Sequence, residues 1–492
     1  MKRDNLPIES LSLWTKLNNI SVDGVAFKKV QGGDGIEKGS AIIATADIPK
    51  ASSTSDSADL GALIKVPADM VLSQQLVENH AKADQYLRDV LEAVGDFGRT
   101  ARGAILIFLI LQFTHSCDEL PKSQHNVGVS HPWAEYLKFM PPSVLLPTLY
   151  DNEEADLLCG TSIRVAVEAK KSSMEREFEH LRQSTEEIPW CQKLWWGESG
   201  KLTLDDWKYA DALYRSRSVD LPRSGHAMVP CVDMANHSSE DTMKAVYEED
   251  STGNAVLQLW NDRVLHPGDE VTISYGSDKP ASEFLFAYGF LPEEMKVTTR
   301  LFLDLEIPDD DPLRLPKADF CKDPPGAWIS HSTTRPGRST SWNSPFVWWA
   351  CVNEEDGLRI TLVENGDGGR ETRVYFNEQE VKDSNHLRDL LAAHPLWDII
   401  HLRAVMLVLA QLNLRVYNLR RIQAVAEQID QDADMRAHFR AEVRSETKKL
   451  RDLEDDLLAK AMSDMEKERD ELLASQTVKS YLSDQTGAED FS

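Results

Sequence analysis

The sequence predicts an α+β fold, in which a β assembly is interrupted by a long helical insertion and followed by a mostly helical C-terminal domain. Three patterns carry that expectation. Between residues 24 and 72, β-favouring pieces alternate with Gly- or Ser-rich turns; helical apolar spacing then fills most of 73–215; short strands return over 226–305. The first group has too few strands to stand alone, so both groups are expected to form one sheet assembly split by the insertion. The boundaries read as 20–72 and 206–305 for the two halves of the β assembly, 73–205 for the insertion and 306–492 for the C-terminal domain.

Taken in order, "GVAFKKV", "SAIIATADI" and "ALIKVP" are the early strands, and the Ser-rich "KASSTSDSADLGA" at 50–62 is a loop between them. Helical spacing follows in "SQQLVENHAKADQYLRDVLEAV" and "DDWKYADALYRSRSV". The apolar run "GAILIFLILQF" at 103–113 is about half of the ~20 residues a bilayer requires and reads as a buried helix. Strands return as "HAMVPCVDM", "AVLQLW", "DEVTISYG" after the turn "HPGD", and "RLFLDLEI". Residues 306–385 are turn-rich, with "LRITLVE" and "TRVYF" forming a hairpin about "ENGDGG". Pro395 opens an apolar helix to about Gln423, as Pro is tolerated in a first turn. The charged stretch 436–476 carries Val443, Leu450 and Leu457 seven apart, too few heptads for a coiled coil, and reads as a solvated last helix.

A chain of 492 residues suggests two or three domains, and 41% hydrophobic content with 12 Trp implies that most of it folds. The formal net charge of -27 argues against sequence-independent binding to nucleic acid phosphates and favours a basic protein partner. Six cysteines at 117, 159, 191, 231, 321 and 351 have no metal-ligand or disulfide-framework spacing, so no metal is expected. The beginning "MKRDNLPIESLSLW" lacks the apolar core of a targeting signal, and the expected location is cytoplasmic, nuclear or both, with no membrane association and a monomeric chain.

The stretch "VPCVDMANHS" at 229–238 ends an apolar run in Asp233, Asn236 and His237, a cluster that neither helix nor strand periodicity explains. On its own it is a turn after a strand, where Asn is common. Downstream come "GDEVTISYG" at 268–276 and "FAYGFL" at 286–291. In that order these motifs resemble the SET-domain methyltransferases, in particular the branch of Rubisco large-subunit lysine methyltransferase and the fungal ribosomal lysine methyltransferases. "PWAEYLKFMP" at 132–141, "LLCGTS" at 157–162 and "YRSRSV" at 214–219 extend the likeness over most of the chain.

The resemblance implies a SET-domain β-fold of short sheets with a knot-like C-terminal part, and a helical C-terminal domain serving as a protein-substrate platform. It implies S-adenosylmethionine as cofactor and transfer of a methyl group to a lysine of a basic protein, such as a ribosomal protein, a translation factor or a histone. Asn236 would then bind the methionine end, His237 would lie against the adenine, and Glu37 and Gly39 would run beside the cofactor. Arg217 would either fork the cofactor carboxylate or hold the chain crossing together, and Phe302 is a candidate for the wall near the adenine. Tyr288 takes the place of the family's catalytic tyrosine, with Tyr275 as a second aromatic wall. The tyrosines at 136, 150 and 209 have no claim beyond packing. Ala41 stands where a second Gly is usual and Ala281 where Asn is frequent, so a scaffold that binds proteins without catalysis is an alternative, as is transfer to histidine.

Overall fold

The computed structural model describes residues 1–489 apart from 3, 32–36, 50–60, 118, 120–127, 261, 333–336 and 365–369. The 50–62 loop and the "ENGDGG" turn thus fall largely outside the described residues. Two compact units share the chain: Met1–Tyr150 with Val167–Lys279 and Phe286–Pro292, and Asp151–Ala166 with Pro280–Leu285 and Glu293–Ser492. The second unit thus combines the continuous stretch Glu293–Ser492 with two shorter segments from earlier in the chain.

In the first unit, β1 (Ser21–Val22), β2 (Val25–Gln31), β3 (Glu37–Ala44) and β4 (Ala62–Val66) precede the insertion. β5 (Ser218–Leu221), β6 (Gly225–Met228), β7 (Ala245–Glu249) and β8 (Ala255–Leu259) follow it. The split is closed by an antiparallel pairing of β4 with β8, giving a four-stranded sheet in the order β1-β4-β8-β7. β2 pairs with β3 and β5 with β6 in two further ribbons. The insertion contributes α1 (Ala101–His115), whose residues 103–114 are all buried, and α2 (Leu204–Arg217), which opens on a Thr203/Asp206 capping box. The pattern "SQQLVENHAKADQYLRDVLEAV" is two helices, because the Asp84 carboxylate accepts the Tyr86 and Leu87 N–H groups and starts a new one.

Two expected strands differ. "HAMVPCVDM" is a strand only to Met228, and Val232–Met234 is a turn of 3-10 helix. "DEVTISYG" forms no continuous strand, because its hydrogen bonds are divided among three partners, one of them residues 244–245, whose N–H groups reach the Thr272 carbonyl. On one side Ala44 N–H reaches Asp269 and Val271 N–H reaches Ile42; on the other, Ile273 N–H reaches Asn236 and Ser238 N–H reaches Ile273. The segment thus lies against β3 on one side and residues 236–238 on the other.

The second unit holds a sheet of β9 (Arg300–Asp304), β10 (Gly326–His331) and β11 (Thr340–Asn343), and the meander β12 (Leu358–Glu364), β13 (Arg370–Phe376) and β14 (Gln379–Val381). Its helices include α3 (Ala281–Tyr288), counted here to Leu285, then α4 (Trp397–Gln431) and α5 (Ala441–Leu473). α4 is long and apolar enough to cross a membrane by length and composition, and its buried Val408, Leu412 and Leu419 share one core with Leu457, Leu458 and Met465 of α5. Residues 151–166 join this unit through polar ties. Ser162 donates through N–H and hydroxyl to Glu454, Arg451 donates to the Leu157 carbonyl, and Arg440 pairs with Glu154.

α5 is fastened to β11 by Asp464, whose carboxylate accepts the N–H groups of Ser339 at 2.8 Å and Thr340 at 3.0 Å, the Thr340 hydroxyl at 3.0 Å and the Lys467 ammonium at 3.0 Å. Burial alone would raise its pKa, but Lys467 and these donors outweigh it and hold it at about 2. A depressed carboxylate contributes stability above its unfolded pKa of about 3.9 and loses it as pH falls through the folded value. Asp464→Asn is therefore expected to cost about 1–2 kcal/mol at pH 7. Thermal unfolding of variant and parent should show the gap narrowing as pH falls from about 5 toward 2.

Candidate active site

The site grows from the turn that follows β6. Cys231 has φ +72° and ψ -41°, a conformation that side-chain-bearing residues rarely adopt, and the 3-10 turn Val232–Met234 comes next. This reversal delivers Asn236 and His237 beside the segment 268–275. Asn236 Nδ2 donates to Glu270 Oε1 at 2.7 Å, so Oδ1 is its remaining acceptor. His237 Nδ1 accepts the Tyr275 N–H at 3.1 Å, and the Tyr275 hydroxyl donates to the Ala235 carbonyl at 2.8 Å. Tyr275 is thus tied at both its backbone and its hydroxyl to the residues flanking Asn236.

Against Tyr275 lies Tyr288, the last residue of α3, with ring centroids 4.6 Å apart and planes at 38°. Phe290 completes an aromatic group at 6.4 Å from both tyrosine rings. The Tyr288 hydroxyl is 3.5 Å from the Tyr275 carbonyl, the same oxygen to which the Lys279 ammonium donates at 2.7 Å. The Lys279 ammonium is thus held by the Tyr275 main chain beside the tyrosine pair. Burial pushes the Tyr275 hydroxyl well up from its ordinary pKa, so it stays protonated and acts as a donor.

The glycine of the "YGF" motif has φ +82°, and a Cβ there would stand 2.5 Å from the Leu145 carbonyl. Only Gly permits the chain to leave the helix at that point and fix Tyr288 on its last turn. Gly39 has φ +90° with open space around it, so its backbone conformation, at the irregularity where β3 leaves register with β2, is what requires Gly. β3 then runs to Ile43, which bridges Glu270, the partner of Asn236.

Asn236, His237, Tyr275 and Tyr288 are therefore brought together, with Gly39 on the adjoining strand. Glu37 is placed on β3. Ala41, also on β3, is fully buried and paired with Lys28. Arg217 Nη1 donates to the Asp233 carbonyl at 2.9 Å and lies 3.5 Å from Asp233 Oδ2. Phe302 belongs to the second unit, on β9, where it packs edge-on against Trp328 at 5.1 Å. Ala281 is the first residue of α3, and its N–H is taken by the Thr298 hydroxyl.

Three participants escaped the sequence reading. Glu270 orients Asn236 from 34 residues away. Arg215 anchors the end of α3 by donating to the Phe286 carbonyl at 2.7 Å, while its Nε is held by the buried Asp211 at 2.8 Å. Tyr136 is fully buried, accepts the Cys231 N–H at 2.7 Å and donates to Asp233 Oδ1, although it had been assigned to packing alone. For Tyr136 the signal was its place in "PWAEYLKFMP", one of the stretches that carried the family likeness.

No group of His, Cys, Asp and Glu among the described residues is arranged to hold a metal ion. A separate 220 Å³ cavity in the second unit is walled by Trp342, Trp348, Trp397 and His401. Arg338, Asp464 and Glu468, which also line it, are already paired with one another or with neighbouring groups.

Comparison with models of known protein families finds no match. Among curated proteins, the chain is 32% identical over 294 residues to SET domain-containing protein 8 of Schizosaccharomyces pombe, covering 58% of this chain. It is 22% identical over 236 residues to the actin-histidine N-methyltransferase of Danio rerio, covering 46% of this chain. The matched regions span 64% and 35% of the lengths of these two relatives. Among solved structures, Rubisco LSMT bound to AdoMet aligns over 95% of this chain and 93% of its own, with a TM-score of 0.58 and 17% identity. The SET domain of LSMT bound to lysine and AdoHcy aligns with a TM-score of 0.56 over 94% and 92%, again at 17% identity.

Proposed function

We propose that this chain, which has the SET-domain fold of the Rubisco large-subunit methyltransferase type, is an S-adenosylmethionine-dependent protein-lysine N-methyltransferase acting on a basic, non-histone protein. The observation that carries the reading is the joint placement of Asn236, with its amide nitrogen engaged and its carbonyl oxygen left as acceptor, beside the Tyr275–Tyr288 pair. An ammonium needs acceptors, and Asn236 Oδ1 supplies one. A methyl bound to a cationic sulfur, and the ammonium that is to receive it, both suit a wall of tyrosine rings. The donor set therefore fits the cofactor. LSMT itself, in structures that share this fold, binds AdoMet, AdoHcy and lysine, and those ligands are what the proposal transfers to this chain.

When bound, S-adenosylmethionine supplies an electrophilic methyl group. What remains for the protein is alignment and delivery of an uncharged amine. A lysine at its reference pKa of about 10.4 is protonated at neutral pH, and both desolvation against the tyrosine rings and a neighbouring positive charge lower that value. Tyr275, kept protonated by burial and committed to the Ala235 carbonyl, is a fixed wall and not a base. Tyr288 presents a hydroxyl on the same side of the Tyr275 backbone as the Lys279 ammonium, and is the group to orient an incoming amine. The net charge of -27 supports a Lys-rich partner such as a ribosomal protein or translation factor, encountered in the cytoplasm or nucleus.

The similarity to an actin-histidine N-methyltransferase favours one alternative, transfer to an imidazole. Acid hydrolysis of a labelled product separates the two. Methyl-lysine is the expected product; methyl-histidine would overturn the assignment of the acceptor while leaving the reaction type.

A further inference from the structure

We propose that Tyr136 is a positioning residue for the methyl-transfer site: its buried hydroxyl holds the strained Cys231–Ala235 turn in the one shape that presents Asn236 and Tyr275. This deepens the methyltransferase reading and rests on it.

Backbone hydrogen bonds close the turn, Arg217 donates to the Asp233 carbonyl, and the Tyr136 hydroxyl joins the strained residue to the Asp233 side chain. Cys231 keeps its φ of +72° while its N–H donates to the Tyr136 hydroxyl at 2.7 Å. The same hydroxyl donates its own proton to Asp233 Oδ1, so one oxygen ties together the first and third residues of the turn. Asp233 has a fully buried side chain whose other oxygen, Oδ2, has only Arg217 at 3.5 Å, so the phenol is the close partner of this carboxylate. Strained backbone persists only where its surroundings over-determine it; Arg217 holds the Asp233 carbonyl, and Tyr136 is the side chain that binds the N–H of the strained residue itself. The ring is itself fixed, fully buried between Trp14 at 4.9 Å and Trp133 at 5.1 Å.

The shape of the turn is read out at the site. The Ala235 carbonyl at its end is the acceptor for the Tyr275 hydroxyl at 2.8 Å, and the next carbonyl, that of Asn236, receives the Ile273 N–H at 3.0 Å. Relaxing Cys231 toward an ordinary negative φ would rotate the peptide groups that follow it. Tyr275 would lose its fixed acceptor, and the Asn236 amide its register with Glu270.

The test uses the full chain and two measurements, the S-adenosylmethionine dissociation constant by calorimetry and turnover on protein extract. Tyr136→Phe keeps the ring and removes the oxygen; about tenfold weaker cofactor binding and a comparable fall in turnover are expected. Cys231→Gly in the Tyr136→Phe background removes the backbone strain without restoring the oxygen, since Gly adopts positive φ freely. That double variant should recover cofactor affinity to within about threefold of the parent while its Tm stays low, a separation that a merely structural hydroxyl would not produce. If Tyr136→Phe alone does not fold, the double variant carries the test. Unchanged affinity and turnover in Tyr136→Phe, or a folded double variant that binds no better than the single one, would overturn the proposal. A parent chain that binds no S-adenosylmethionine would overturn the methyltransferase reading first, and the positioning role with it.

Discussion

Replacing Asn236 by Ala is expected to abolish measurable binding of S-adenosylmethionine, a loss of at least about 100-fold, while the chain stays folded. The direction follows from what the amide does on each side. Its nitrogen donates to Glu270 at 2.7 Å, which leaves Oδ1 as the proposed acceptor for the cofactor's ammonium, and the substitution deletes both groups. The backbone of residue 236 keeps its Ile273 hydrogen bond in the variant, which is why the fold should survive. Calorimetric titration, with circular dichroism as the folding control, checks it. Retained micromolar binding in Asn236→Ala would place the cofactor elsewhere.

Tyr288→Phe is expected to do the opposite: turnover falls by about two to three orders of magnitude, and cofactor binding stays within a few-fold of the parent. The ring, and with it the 4.6 Å contact with Tyr275, is retained. Only the hydroxyl is lost, the group placed to orient the amine and the transferring methyl. The neighbouring Tyr275 hydroxyl is already committed to the Ala235 carbonyl, so it does not take over. Single-turnover kinetics at saturating cofactor separate chemistry from binding. A loss confined to cofactor affinity would mean that Tyr288 is a wall and not an orienting group.

Much of this site was legible because its parts are short and local. Asn236-His237, the "SYG" of Tyr275 and the "YGF" of Tyr288 are each read in a few residues, and their order along the chain carried the family likeness. The interrupted sheet was legible for a physical reason, since the early strands could not bury a face alone, and β4 indeed pairs with β8 across the insertion. What escaped was long-range and polar. Tyr136 meets Cys231 and Asp233 across more than ninety residues, and a buried tyrosine in sequence looks like any core aromatic. Residues 151–166 join the C-terminal unit through Glu154, Leu157 and Ser162, side-chain and carbonyl ties that leave no periodicity to read. "DEVTISYG" reads as a strand and shares its hydrogen bonds among three partners, because alternation of apolar residues records burial and not the number of neighbours a backbone serves.

The account stands most directly on transfer of a labelled methyl group from S-adenosylmethionine into an extract of cells lacking this protein, run beside Asn236→Ala. It predicts a protein band labelled by the parent chain and absent with the variant, and the labelled residue recovered as methyl-lysine. Equal labelling by parent and variant, or no labelling by a parent chain that also fails to bind the cofactor, would contradict it and leave a protein-binding scaffold as the reading.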